Sequence, residues 1–117
     1  MTLIHITADH AANGELGAAT PRSGSDNSEQ VEAVDEFWTD AASAGIWECT
    51  PGRFPSSRNG RHEVCVILSG QATVESEDGT SVLVRAGDTL VLADGWSGHW
   101  NVHETVRKVY VNVQLVS

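Results

Sequence analysis

An all-β sandwich or barrel is the fold class that this chain predicts. Three observations predict it. Short β-prone runs recur about every 8–12 residues, each closed by a turn signal. Glycine, with 11 residues, and valine are abundant, while leucine-rich helical stretches are absent. The Asp78-Gly79 step between two such runs reads as a hairpin turn, because glycine accepts a positive φ at little cost.

The elements follow in order. Ile4–Ala8 reads as a short strand. Gly17 to Gln30 is rich in Gly, Ser, Pro, Asn and Asp and reads as a loop. Val31 to Trp38 reads as a strand or a single helical turn leading into Trp47. From Gly45 onward the runs are regular. Trp47–Thr50 ends at Pro51-Gly52, Val64–Leu68 at Ser69-Gly70, and Gln71–Glu77 at Asp78-Gly79. Ser81–Arg85 ends at Ala86-Gly87 and Thr89–Ala93 at Asp94-Gly95. His99–His103 and Lys108–Leu115 close the chain.

With 117 residues, the chain has the length of one domain. Seven Lys and Arg against 16 Asp and Glu give a formal charge of −9. A nucleic-acid module needs a basic footprint to neutralise phosphates, and anionic membranes repel an acidic domain; neither partner is expected. No apolar run approaches the roughly 18 residues of a membrane span. Met1 to His10 lacks a basic stretch followed by an apolar one, so no signal peptide is read. Cys49 and Cys65 are too few for a disulfide framework. The expected location is the cytoplasm, where thiols stay reduced.

Five segments carry a family resemblance. They are Gly45-Ile-Trp-Glu-Cys-Thr-Pro-Gly-Arg-Phe54, His62-Glu-Val-Cys-Val-Ile-Leu-Ser-Gly70, the Asp78-Gly79 hairpin, Ala86-Gly-Asp through Gly95-Trp to Trp100, and Glu104-Thr-Val-Arg-Lys-Val-Tyr110. In this order they resemble the small cupins that group with (S)-ureidoglycine aminohydrolase and an ethanolamine-utilisation protein. The resemblance implies a single cupin (RmlC-like) jelly-roll barrel with a small-molecule pocket inside. Residues 45–117 would form the barrel, and residues 1–44 an N-terminal strand-and-loop extension of the same domain.

The resemblance also implies where a metal would sit. Glu63 and Gly70 keep the spacing of the first cupin motif. Its histidine positions, however, fall on Ser56, Ser57, Arg58 and Asn59. In the second motif Gly87 and Gly95 match, but Ala93 stands for proline, Gly98 for histidine and Val102 for asparagine. Three of the four usual ligands are therefore missing, while a transition metal generally needs at least three. No metal or other cofactor is expected; the alternative is a metal-dependent aminohydrolase- or isomerase-type cupin whose divalent-metal site is rebuilt by His62 or His99, should a bulge near Gly98 turn one inward. Strand alternation places Glu63, Cys65 and Ile67 inside and His62 outside, and Trp100 and Val102 inside with His99, Asn101 and His103 outside.

Glu63 is the sharpest candidate. A carboxylate inside an apolar barrel must be paired or protonated. It reads either as an acid/base group or ligand acceptor, or as the partner of a barrel cation, Arg61 or Lys108. In the run from Arg107 to Leu115, Val109, Val111, Val113 and Leu115 share one face and Lys108, Tyr110, Asn112 and Gln114 the other. Either the valines are core and the polar face is exposed, or Lys108 and Tyr110 enter the pocket, as the resemblance implies. The candidate catalytic set is Glu63, Lys108 and Tyr110. The candidate ligand contacts are Arg61, Glu63, Cys65, Trp100, Trp47 and Glu48, and Trp96 could gate the mouth. Arg61 lies two residues before Glu63, on the same face, and its planar fork suits a ligand carboxylate.

Two functions stay open. One is an enzyme acting on a small carboxylate- or nitrogen-bearing metabolite; the other is a non-catalytic binding, structural or regulatory cupin. The manganese-binding residues of the aminohydrolase are not matched, so its reaction is not carried over. The expected assembly is a homodimer in which N-terminal strands cover the partner's edge.

Overall fold

The computed structural model describes residues 1–115; the last two residues assigned to the barrel lie outside the described residues. In chain order the elements are helix α1 (Ala8–Asn13) and strands β1 (Thr20–Pro21), β2 (Val31–Thr39), β3 (Ala42–Cys49), β4 (Gly52–Ser57), β5 (Arg61–Ser76), β6 (Ser81–Arg85), β7 (Thr89–Leu92) and β8 (Ser97–Gln114). All strand pairs are antiparallel.

Two long strands organise the barrel. β5 and β8 pair with each other from Arg61↔Gln114 to Ser76↔Gly98. The register shifts three times between Ile67 and Ala72, and there the sheet folds over. On one side of the bend β7 and β3 extend the pair, with β2 and β1 beyond; on the other, β6 and β4 do so. The two layers enclose a core that includes Phe54, Ile67, Val74, Leu92, Trp100 and Val102. This is the jelly-roll expected from the sequence.

The runs expected on either side of Ser69-Gly70 are one continuous strand. Gly70 has φ +83°, and a Cβ there would collide with the Thr105 carbonyl. It marks a bulge, so the hydrogen-bonded ladder passes through a residue that reads as a turn. The same holds for His99–His103 and Lys108–Leu115, which join as β8. The Asp78-Gly79 hairpin forms as expected, with Gly79 at φ +95° and Ser76 N–H donating to Thr80 O at 2.7 Å.

The N-terminal third departs from expectation at its start. Ile4–Ala8 forms no strand; Ala8–Asn13 is helical instead, and the Thr7 hydroxyl caps it by accepting from His10 N–H at 3.1 Å. Ala8, Ala11 and Ala12 supply helix propensity. Buried Arg107 holds this turn against the barrel, donating to Ala11 O and Gly14 O at 2.7 Å each. Val31–Thr39 is a strand, paired to β3. In the loop before it, Gln30 is 1% exposed and donates from Nε2 to Thr50 O at 2.8 Å. No helix among the described residues is long and apolar enough to cross a membrane.

Of the two faces left open for β8, the polar one points inward. Lys108 and Tyr110 are buried, while Val111 and Val113 are exposed. Outward Val64, Val66 and Val91 lie beside them, through the pairs Val64↔Val91, Val64↔Val111 and His62↔Val113. The polar face points inward because this end of the barrel encloses a cavity rather than packed core.

Candidate functional site

The cavity has a volume of about 1050 Å³, at the upper end of the range of about 300–1,000 Å³ for small-molecule sites. Its walls come from β2, β3, β4 and the polar ends of β5 and β8. The segment Gly17 to Arg22 forms a further wall.

Glu63 sits at its base, 3% exposed, and both oxygens are engaged. Oε1 accepts from Arg58 Nε at 2.8 Å and Nη2 at 2.5 Å. Oε2 accepts from Lys108 Nζ at 2.7 Å. Burial pushes the carboxyl pKa up, but the Lys108 and Arg58 charges and their hydrogen bonds outweigh it and hold Glu63 below its ordinary value. The cations are themselves fixed. Arg58 Nη1 donates to Ser56 Oγ and Ser57 O at 2.8 Å each. The Lys108 ammonium lies 4.6 Å from the ring centres of both Trp47 and Trp100, where indole faces attract a cation.

Trp47, Phe54 and Trp100 form an aromatic wall. Trp47 meets Trp100 edge-to-face at 5.8 Å and Phe54 at 6.2 Å. The Trp47 indole N–H donates to Glu32 Oε1 at 2.8 Å, and Arg22 bridges to the same oxygen at 3.1 Å. Arg22 also stacks over Phe54 at 4.1 Å.

The structure thus brings together Arg61, Glu63, Trp47, Trp100, Lys108 and Tyr110 around one cavity. Arg61 shares the Glu63 face but is not its partner; that role falls to Lys108 and to Arg58, which the sequence reading took only as a residue in place of a histidine. The Asn59-Gly60 turn, with Gly60 at φ +78°, folds Arg58 back over the start of β5. The one signal for this was a cation in the motif's histidine window. Asn112, opposite Glu63 in the β5–β8 register, and the Arg22–Glu32 pair were likewise not singled out.

Two expected contacts, Glu48 and Cys65, and the expected gate, Trp96, do not line the cavity. Glu48 points to the other face of β3, where Arg107 Nη1 lies 3.9 Å away; alternation with inward Trp47 dictates this. Cys65 is buried at 1% exposure beneath the ion cluster, and burial pushes its thiol up to about 11. Trp96 packs against the core and donates from its indole N–H to Ser76 Oγ at 2.8 Å, so it does not gate the mouth. Tyr110 donates to Glu36 Oε1 at 3.2 Å, and burial with that carboxylate beside it raises its pKa.

A cupin metal does not fit these residues. No group of three or more His, Cys, Asp or Glu among the described residues converges to hold an ion. His62 faces outward and accepts from Asp94 N–H at 2.9 Å. The lone cupin-motif carboxylate is already bonded to two cations.

The fold, with its open cavity at one end of the barrel, defines a cupin. Residues 38–110 match the profile of the EutQ-like cupin domain, and the chain belongs to that family. Three solved structures illustrate the likeness. The EutQ protein of Clostridium difficile superposes with a TM-score of 0.66 at 17% identity, over 75% of this chain and 71% of that one. A DUF861-family protein of Pseudomonas syringae pv. tomato gives 0.70 at 23% identity, over 84% and 43%. A DUF861-family protein of Thermotoga maritima gives 0.53 at 35% identity, over 56% and 73%. No curated protein matches the chain.

Proposed function

We propose that this cupin binds a small carboxylate-bearing metabolite in the barrel cavity without a metal, and that Arg61 anchors the carboxylate. One observation carries the reading. Among the described residues Arg61 is the cavity cation without an ion-pair partner, and its buried Nε has no hydrogen-bond partner. Arg22 is paired with Glu32, and Arg58 and Lys108 share Glu63. A guanidinium without a partner at a cavity wall is suited to bidentate carboxylate capture.

Binding is favoured over acid/base catalysis by Glu63, Lys108 and Tyr110. A general base works best with a pKa near the operating pH. Glu63 is held low and Tyr110 high, so the trio supplies a fixed electrostatic floor. The aminohydrolase chemistry of the resembling family has no counterpart here. The homodimer belongs to the same proposal. The uncharged outer face of Val64, Val66, Val91, Val111 and Val113 supports a second copy as its cover, on a chain whose net charge of −9 repels copies elsewhere. Light scattering should return twice the chain mass, and V91K/V111K the single-chain mass.

Thermal-shift titration with acetate, propionate and malonate tests the ligand reading. Wild type should gain several degrees with at least one of them and Arg61→Gln none. No shift for wild type with any carboxylate would overturn it.

A further inference from the structure

Asn112 lies on the inward face of β8 and lines the cavity. It is directly across the ladder from Glu63, with Arg61 diagonal to it, since Arg61 pairs with Gln114. Its Oδ1 is buried and has no hydrogen-bond partner. Leaving a buried acceptor unpaired is costly, and such groups in a folded protein have a reason to be there. Glu63 cannot supply the missing donor, because it is ionised and bound to two cations. The orphans beside one cavity are therefore guanidinium nitrogens on Arg22 and Arg61 and a carbonyl oxygen on Asn112; Arg22 already holds Glu32, which leaves Arg61, one diagonal step from Asn112, as the unpaired cation.

We infer that the cavity reads a small 2-hydroxy acid, with the carboxylate on Arg61 and the 2-hydroxyl donating to Asn112 Oδ1. This rests on the carboxylate reading above and deepens it. Diagonal neighbours on one face of an antiparallel pair are about 7–8 Å apart at the backbone, which puts both side chains beside the same small ligand. Charge separates the hydroxyl from an amine. Among the buried and half-buried cavity groups, Arg22, Arg58, Arg61 and Lys108 face Glu32 and Glu63. Arg22–Glu32 cancels, and Glu63 cancels one of the two cations it bonds. An anion is therefore matched, whereas a zwitterionic amino acid would bring its ammonium beside Arg58, Arg61 and Lys108. Exposed Glu77 stands at the rim, too solvated to alter this balance.

Isothermal titration with three isosteric ligands tests the inference: lactate, propionate and alanine. Lactate should bind about five- to tenfold tighter than propionate, and alanine weakest. Asn112→Leu should bind lactate and propionate equally, with propionate affinity kept. Arg61→Gln should lose both. Circular dichroism confirms that each variant is folded, and Asn112→Ala serves if the leucine variant is not. Equal affinity of wild type for lactate and propionate, or tighter binding of alanine, would overturn the hydroxyl assignment alone. If none of the three binds to wild type, both the carboxylate reading and this one fall.

Discussion

At the scale of single residues, the arrangement turns on one buried carboxylate with two cations. Taking such charges out of water costs several kcal/mol per ion, repaid only when geometry is good. Glu63 meets that condition through three short hydrogen bonds. Glu63→Gln leaves Arg58 and Lys108 buried without their anion, and should cost about 3–5 kcal/mol in urea unfolding. Lys108→Met leaves the Arg58–Glu63 pair intact and should cost less. The pH dependence has a definite sign. Because Glu63 titrates below its ordinary value of 4.5 when folded, the unfolded chain binds the proton more readily. Its contribution is present above about pH 4.5 and lost as pH falls through the folded value. Glu63→Gln should therefore flatten the acid limb of a stability–pH curve; an unchanged limb would show that other carboxylates set it. Sequence made Glu63 legible, since its spacing to Gly70 and its expected inward face were both readable. Arg58 was not, because its direction is set by the Asn59-Gly60 turn and not by strand alternation.

At the scale of elements, turns were easier to read than their consequences. Gly70 and Gly79 look alike in sequence, yet one is a bulge and the other a hairpin. A Cβ at Gly79 would meet nothing, so Gly79→Ala bears mainly the conformational penalty of φ +95°, about 1 kcal/mol. Gly70→Ala adds a collision with the backbone of Thr105 across the sheet. Thermal unfolding should show a drop of several degrees for Gly79→Ala and a much larger one, or loss of soluble protein, for Gly70→Ala. Similar drops would mean that the bend between Ile67 and Ala72 relaxes freely. The inward face of β8 was left open by its pattern, because alternation states which residues share a face but not whether that face meets core, cavity or solvent. Helix α1 went unread because six residues show no period, and its anchor, Arg107, is distant in sequence.

At the scale of the molecule, a chain of formal charge −9 surrounds a cavity whose buried and half-buried charges leave two cations over. Self-repulsion of the exposed carboxylates is screened by salt, while buried pairs are screened much less. Raising sodium chloride from about 10 to about 150 mM, across which the Debye length shrinks from about 30 to about 8 Å, should raise the melting temperature at pH 7. A fall would place the dominant electrostatics in the exposed pairs instead. The positive charge beside the cavity is covalent, so chelators should leave stability and ligand affinity unchanged, and elemental analysis should find no stoichiometric transition metal. One equivalent of metal lost on Glu63→Gln would contradict this. The barrel class followed from the spacing of turn signals. The cavity did not, because it depends on which strand halves the bend at Gly70 brings face to face.

The placement of Lys108 between two indoles has an optical consequence. Trp47 and Trp100 both line the cavity, and each has the ammonium 4.6 Å from its ring centre. Indole emission responds to the local electric field, so an anion entering beside them should change their colour and intensity. The other two tryptophans lie off the cavity wall: Trp38 is exposed, and Trp96 is tied to Ser76. Trp38 gives a steady background; Trp96, with the Arg58 guanidinium 5.8 Å from its ring centre, also neighbours the ion cluster. The chain therefore carries its own fluorescent reporter of cavity occupancy, readable without a label, and Trp47→Phe should remove a defined share of the signal.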